Sequence, residues 1–205
     1  MPAYAATVRR PPRTLTDLDR ARVLKITGEH RDGYRDHVII SLALGTALRE
    51  HEIAALDVGD VVTNDGRVRR RIALRVFKRS STDPAGQEVF LPDGTFYKLT
   101  KFLTWKRSRG QSLAPDAPLF VSSRRTRIAT RTLRHMFRIW QLRAGVDQVQ
   151  NFHGLRHTAL TDVHRRKRDI SLVQRVARHK DVSTTMIYLA PSDQDIMDAV
   201  RDQTC

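Results

Sequence analysis

The segment ARHKDVSTTMIYLAP, at residues 177–191, contains residue types that could carry out nucleophilic chemistry. It places Tyr188 in an apolar run downstream of His179, which stands between Arg178 and Lys180. A phenol has a free pKa of about 10, so its oxyanion forms readily only beside groups that stabilise negative charge. The cations would serve a tyrosine that has to become an oxyanion beside an anion, and they would be incidental if the ring only fills the core, as a tyrosine taken alone more often does.

The stretch NFHGLRHTAL, at residues 151–160, is a second candidate site. On a helix, His153 and Arg156 project from the same face because they are three positions apart. Arginine binds phosphate oxygens with its planar fork, and imidazole exchanges protons near neutral pH. His153 and His157 could instead hold a metal, but a zinc site needs about three protein ligands, and Arg156 would repel a cation. A metal site is therefore the less favoured interpretation of this motif.

The charge balance predicts a polyanionic partner. Lys and Arg number 37 against 22 Asp and Glu, which gives a formal net charge of +15. An excess of this size favours nucleic acid and an affinity that falls with salt. A solvated basic surface and a membrane-surface binder are the alternatives.

The remaining composition favours a reducing, cytoplasmic location. No apolar run approaches the roughly 20 residues needed to span a bilayer. The N-terminal stretch MPAYAATVRRPPR lacks the apolar region of a signal peptide. The single cysteine is Cys205, which excludes an internal disulfide framework.

Positive charge is concentrated between residues 124 and 143, which contain seven arginines and no acidic residue. Apolar residues recur there at helical spacing, namely Leu133, Met136, Phe137, Trp140 and Ala144. This predicts an amphipathic helix that ends near Gly145, with arginines aligned on another face. A solvated helix usually mixes charges of both signs, so we predict that this segment contacts DNA. The predicted DNA-binding residues are Arg127, Arg131, Arg134 and Arg138.

The elements that position these residues are predicted to be mainly helical. Helices are expected at 16–27, 35–44, 49–56, 94–109, from 153 or 155 onward, and at 170–178. Between Val61 and Pro92 the period changes to alternation, around an Asn64-Asp65-Gly66 turn, which predicts a small antiparallel meander. The fold class is therefore α+β, mostly α-helical with a small antiparallel three-stranded sheet.

The motifs together resemble those of the tyrosine recombinase (phage integrase) family. LALGTALREHEIAALDVGDV resembles the family's first-arginine motif, with Arg49 and Glu52 in its arginine and acidic positions. RVFKRSSTDPAGQEVFLP resembles its hairpin, with Lys78 as the lysine. HGLRHT and RHKDVSTTMIYL resemble its histidine–arginine and closing motifs. The resemblance extends from Leu15 to about Pro191.

Two positions depart from the family pattern. Ala47 stands where the first-arginine motif usually has glycine, and Arg178 stands where glycine usually precedes the histidine. Glycine permits tight backbone conformations at such places, so the local geometry at these positions needs to be established.

The resemblance implies a catalytic set of Arg49, Lys78, His153, Arg156, His179 and Tyr188. The arginines would hold the non-bridging oxygens of a phosphodiester, and Tyr188 would attack phosphorus. His153 would be the base or proton shuttle, and His179 would bind the phosphate. Lys78 would protonate the leaving 5′ oxygen. No cofactor and no metal are required, because the phosphotyrosine conserves the bond energy.

The predicted function is that of a site-specific DNA recombinase, for integration or inversion, with a 3′-phosphotyrosine intermediate. A type IB topoisomerase-like nicking enzyme and a non-catalytic DNA-binding regulator are the alternatives. The partner is double-stranded DNA, and in bacteria the protein would be associated with the nucleoid.

The predicted organisation is an N-terminal tail (1–13), a catalytic domain (14–191) and a C-terminal tail (192–205). The family usually has a core-binding domain before the catalytic one. Its apparent absence indicates either a naturally short member, similar to fimbrial phase-variation recombinases, or an excised domain. The tail would dock on a neighbouring protomer in a homo-tetramer, or pack on its own domain.

Overall fold

The computed structural model describes residues 13–74, 88–179, 181–186 and 200–201 of the chain. The elements are α1 (Asp17–Glu29), α2 (Tyr34–Thr46), α3 (Glu50–Ala55), α4 (Val58–Val61), β1 (Arg71–Ala73), β2 (Glu88–Phe90), α5 (Asp93–Ser108), α6 (Thr130–Arg143), α7 (His153–Lys167), α8 (Ile170–Ala177) and α9 (Ser183–Met186). The predicted class, α+β with helices dominant, is confirmed.

Helix α2 is the buried centre of this arrangement. Its residues Val38, Ile39, Ile40 and Leu42 are completely buried, as expected for a helix that is apolar on nearly every side. Helices α1, α5 and α7 pack around it. The core is therefore built by helix packing, and the end of α2 is held firmly by its neighbours.

Helix α1 begins at the predicted capping residue. The Thr16 side chain accepts a hydrogen bond from the backbone N–H of Asp19 at 3.1 Å. A further contact ties this region to α7, because the backbone N–H of Leu15 donates to the Thr158 hydroxyl at 2.9 Å. The start of the first helix is thus fixed next to the helix that carries the histidine–arginine motif.

The sheet is smaller than predicted within the described residues. Strands β1 and β2 pair antiparallel, with Arg71 opposite Phe90, Ile72 opposite Val89 and Ala73 opposite Glu88. Instead of a third strand, a single antiparallel bridge joins Val62 to Val68 across the predicted turn. The backbone reverses within residues 63–67, and α4 ends at Val61, so there is no room for a longer strand before the turn.

The arginine-rich helix α6 begins at Thr130, so Arg124, Arg125 and Arg127 precede it. The segment at 122–126 forms a turn instead, in which the Ser122 N–H donates to the Thr126 carbonyl. The predicted apolar seam is buried, and Trp140 Nε1 donates to the Asp36 carboxylate at 2.8 Å. The helix ends beside Gly145, as predicted, where the φ angle is 66°.

None of the helices in the described ranges is long and apolar enough to span a membrane.

Candidate active site

Arg49 lies at the junction between α2 and α3. Helix α2 ends at Ala47, which adopts the left-handed conformation with φ 54° and ψ 25° and so redirects the chain. Arg49 then caps α3: its backbone N–H donates to Glu52 Oε2 at 2.6 Å, and its Nη1 donates to Glu52 Oε1 at 3.0 Å. The Arg49 side chain remains 29% exposed, whereas Glu52 is 3% exposed. Arg49 is therefore held in place by buried Glu52, while part of its side chain stays accessible to solvent.

Arg156 lies on the buried face of α7 and is only 2% exposed. Its Nη1 donates to the Ala47 carbonyl oxygen at 2.6 Å, and its Nη2 donates to the carbonyl of Ala177. The same guanidinium thus joins the end of α2 to the end of α8. Because buried guanidinium groups are stable only when their donors are satisfied, these contacts fix the position of its charge.

His179 follows α8 and contacts Arg156 directly. Arg156 Nη2 lies 3.1 Å from His179 Nε2, and His179 Nδ1 lies 3.0 Å from the Thr185 hydroxyl. A guanidinium can only donate, so Nε2 is the acceptor and the ring proton is on Nδ1. Burial, then the charges of Arg156, Arg49 and Arg178, lower the pKa of His179 to about 4. The imidazole is therefore neutral at physiological pH.

His153 and His157 occupy the first turns of α7. Their rings meet edge to face, with centroids 4.5 Å apart. Burial, followed by the charges of Arg156 and Arg49, lowers the pKa of His153. Burial and the neighbouring His153 and Arg156 lower the pKa of His157 to about 4. Although neighbouring groups partly desolvate its ring, His153 remains accessible to solvent, and the lowered pKa favours the neutral imidazole, which can accept a proton.

Arg178 precedes His179 and points back into the protein. Like Ala47, it adopts the left-handed conformation, with φ 54° and ψ 46°. Both positions at which the family usually has glycine therefore adopt the backbone conformation that glycine favours. The Arg178 side chain is 3% exposed, and its Nη2 donates to Glu52 Oε2 at 2.6 Å.

Four predicted site residues are thus brought together from distant parts of the chain. Arg49, His153, Arg156 and His179 lie close enough for both arginines to depress the pKa of both histidines. The other two, Lys78 and Tyr188, lie outside the described residues. Within the described ranges, no group of three or more His, Cys, Asp or Glu side chains is placed to hold a metal ion.

The arginines predicted to bind DNA have different environments. Arg127 folds back onto the protein, where it pairs with Asp57 and donates to the carbonyl of Ala55 at 3.0 Å. Arg134 forms a forked ion pair with Glu50, with Nε 2.9 Å from Oε2. Arg131 and Arg138 are exposed on α6. Their contact with DNA remains a prediction.

Two contributors to the site were missed in the sequence. In the sequence, Arg178 is only a departure from the family pattern, and no local spacing predicts its ion pair with Glu52. Thr185, which is completely buried beside His179, was not singled out. The spacing of Arg49 and Glu52 does carry a signal, because an acidic residue three positions after a helix cap commonly bonds back to the cap.

The fold and the site define a mostly helical α+β domain with a cluster of arginine and histidine side chains where the ends of α2 and α8 meet α7. Residues 13–195 match the model of the phage integrase family. The chain belongs to this family.

Individual proteins agree with this assignment. The tyrosine recombinase XerC of Shewanella amazonensis is 32% identical over 190 residues, which cover 90% of this chain and 60% of that protein. The XerC of Haemophilus influenzae is 30% identical over 154 residues, covering 75% and 48% respectively. This chain therefore spans only about half to three-fifths of these relatives.

Solved structures share the fold. The XerA recombinase superposes with a TM-score of 0.76 at 26% identity, covering 96% of this chain and 67% of that one. The XerH recombinase bound to its difH substrate superposes with a TM-score of 0.70 at 18% identity, covering 98% and 57%. The second similarity concerns the fold alone.

Proposed function

We propose that this protein is a site-specific DNA recombinase that cuts and rejoins DNA through a 3′-phosphotyrosine at Tyr188. The observation that carries the proposal is the convergence of Arg49, Arg156 and His179 from three separate parts of the chain. Family membership supports the same reaction, and the related XerH protein is known in a complex with its DNA substrate.

The arrangement suits phosphodiester transesterification. The Tyr188 oxygen would attack phosphorus as its proton passes to the neutral imidazole of His153. Arg49 and Arg156 would offset the charge that gathers on the non-bridging oxygens in the transition state. The bond to the 5′ oxygen then breaks, and Lys78 would supply the proton that this oxygen needs. Attack by the 5′ hydroxyl of another strand would reverse these steps and complete the exchange.

His179 would bind the phosphate from the side opposite its Thr185 contact. In the described state its Nε2 accepts from Arg156, so this nitrogen has no proton to donate. Donation to a phosphate oxygen would require proton uptake or a change of tautomer. An incoming phosphate favours this, because a negative charge raises the pKa of a nearby imidazole.

The assembly and the cellular setting are also proposals. We expect four protomers on two DNA duplexes in the bacterial cytoplasm, with residues 192–205 docking on a neighbour and residues 14–191 forming the catalytic domain. The net charge of +15 supports association with the nucleoid. Cross-linking on DNA, with and without residues 192–205, tests the docking: removal should abolish tetramers but leave DNA binding by single protomers.

Trapping the covalent intermediate tests the central proposal. The protein is incubated with nicked suicide duplexes from its own genomic neighbourhood, and protein–DNA adducts are separated under denaturing conditions. An adduct should form on a specific sequence and disappear in Tyr188→Phe. Substitution of Tyr97, an exposed tyrosine on α5, is the matched control and should leave the adduct intact.

The alternatives give different results in the same assay. Adducts on every sequence would instead indicate a topoisomerase-like nicking and closing enzyme. Tight, sequence-specific binding without an adduct would indicate a non-catalytic regulator.

A further inference from the structure

The side chain of Arg178 is buried and forms an ion pair, although a residue that follows a helix could equally point into solvent. It reaches back from the end of α8 to Glu52 on α3, with a separation of 2.6 Å between Nη2 and Oε2. Both side chains are 3% exposed. Among the described atoms none accepts from Arg178 Nε, which is also buried. Burying an incompletely satisfied guanidinium is costly, so this contact is poorly explained by stability alone.

Glu52 is shared between two arginines. Its Oε1 accepts from Arg49 Nη1, and its Oε2 accepts from both the Arg49 backbone and Arg178. With Arg49 alone, the carboxylate would neutralise the guanidinium that has to bind the anion. Two guanidinium groups and one carboxylate leave a net charge of +1. Arg178 therefore restores the positive charge at the exposed arginine.

The contact also joins the two segments that carry the phosphate-binding groups. Arg156 connects the Ala47 and Ala177 carbonyls, which precede Arg49 and His179 in the chain. The Glu52–Arg178 pair makes a second connection between the same two segments. With the Arg156 contacts alone, the His179 turn could still rotate about them. The Glu52–Arg178 pair restricts that rotation.

We propose that Arg178 is a positioning residue of the phosphate site, which fixes the His179 turn against α3 and offsets the charge of Glu52. This inference rests on the proposed function for its effect on DNA cleavage. Arg178 would not touch the DNA. Its contribution would appear in the rate of the chemical step, because reacting groups displaced by about 1 Å can lose roughly 100-fold in rate.

Substitution of Arg178 by glycine separates the effect of losing the side chain from any effect on the backbone conformation. Arg178→Gly accommodates the left-handed conformation and removes the buried side chain, with its ion pair to Glu52 and its long contact to the Val176 carbonyl. Arg168→Gly is the matched control, since Arg168 also follows a helix in the left-handed conformation, with φ 52°, but its side chain is exposed. Arg178→Lys keeps the charge without the planar fork.

The first measurement compares adduct formation with DNA affinity. We expect Arg178→Gly to slow adduct formation by roughly 10- to 100-fold at saturating DNA. Its affinity for the same duplex should stay within about twofold, because Arg178 would make no phosphate contact itself and DNA affinity is a sum over many phosphates, of which the one at Arg49 is a single member. Arg178→Lys should recover part of the rate, and Arg168→Gly should match the wild type. Equal rates in Arg178→Gly and Arg168→Gly would overturn the inference.

The second measurement does not depend on catalysis. The pKa of the His179 imidazole is followed by NMR in the DNA-free protein, where Arg178→Gly should raise it by removing a nearby cation, while Arg168→Gly should not. An unchanged value in Arg178→Gly would overturn the inference. If the wild type formed no adduct, the proposed function would fail, yet this titration would still decide the role of Arg178.

Discussion

Arg156 Nη1 donates to the Ala47 carbonyl oxygen at 2.6 Å, across a sequence separation of 109 residues. The contact joins a proposed catalytic group to the turn that presents Arg49. The same guanidinium also binds the Ala177 carbonyl before His179. The proposed phosphate site and the fold therefore share one side chain, so loss of Arg156 should affect stability as well as chemistry.

Replacement of Arg156 by alanine is expected to destabilise the protein substantially. It would leave two buried carbonyls without their donor, at a combined cost of roughly 2–5 kcal/mol in the free energy of unfolding. Arg49→Ala should cost less, because its guanidinium is partly exposed. Urea unfolding of both variants measures the difference. Equal free energies of unfolding for the two variants would contradict the structural role of Arg156.

A second prediction concerns Arg168, which follows α7 in the left-handed conformation. Arg168→Gly should raise the free energy of unfolding by about 0.5–1 kcal/mol, because glycine relieves the steric cost that other residues have at positive φ. Arg166→Gly is the control, since Arg166 lies within the same helix, where glycine should lower stability by about 1 kcal/mol. Thermal or urea unfolding of both variants should show opposite signs. Destabilisation by both would argue against the left-handed conformation at Arg168.

The helices could be predicted from the sequence because their apolar residues recur with a clear period. The helix predicted at 35–44 spans Tyr34–Thr46, and the helix predicted at 94–109 spans Asp93–Ser108. The sheet was less predictable. Its described strands have three residues each, too short for alternation to fix their number. The described residues form two strands where the sequence predicts three.

The candidate site likewise has a part that the sequence predicts and a part that it does not. Local motifs predict Arg49, His153, Arg156 and His179 as site residues, because the family pattern fixes residue types at short spacing. The sequence did not show that Glu52 and Arg178 form an ion pair, since 126 positions separate them. The pairing of Arg127 with Asp57, 70 positions apart, was hidden for the same reason. Long-range ion pairs form only in the assembled fold, so no pattern of residues at short spacing predicts them.

The depressed histidine pKa values predict a loss of stability in mild acid. The pKa values of His157 and His179 are lowered to about 4, mainly by burial and then by neighbouring cationic groups. Unfolding returns each to about 6.5, so the unfolded chain binds more protons between these values. The stability is thus fully present above about pH 6.5 and is lost as the pH falls toward 4.

Urea unfolding at pH 7 and at pH 5 measures this loss. The groups that surround His179 are Arg156 and His157 on α7, Arg49 before α3, the adjacent Arg178, and His153. Two acids face this cluster among the described residues. Glu50 acts on His153, and Glu52 pairs with Arg49 and Arg178, which helps to lower its pKa and keeps it ionised at pH 5. Replacing His157 and His179 by glutamine should flatten the dependence. Equal free energies of unfolding at both pH values in the wild type would contradict the prediction.

The exposed arginines of α6 provide the last prediction. Neutralising Arg131, Arg134 and Arg138 together should weaken DNA binding and flatten its salt dependence. If each contacts one phosphate, the slope of log K against log salt should fall in magnitude by up to about 2.7, or about 0.9 for each contact. Fluorescence anisotropy at several salt concentrations measures both effects. An unchanged slope would remove α6 from the DNA interface.

Arg134 is expected to contribute less than its neighbours in the wild type, because it is already paired with Glu50. Glu50→Gln should therefore strengthen DNA binding and steepen the salt dependence by releasing Arg134 for phosphate contact. Arg127→Ala is the control for a general loss of positive charge. It removes one arginine that is bound to Asp57, so its salt slope should stay close to that of the wild type. A slope that fell equally for Arg127→Ala and Arg131→Ala would show that overall charge, and not the exposed face of α6, determines binding.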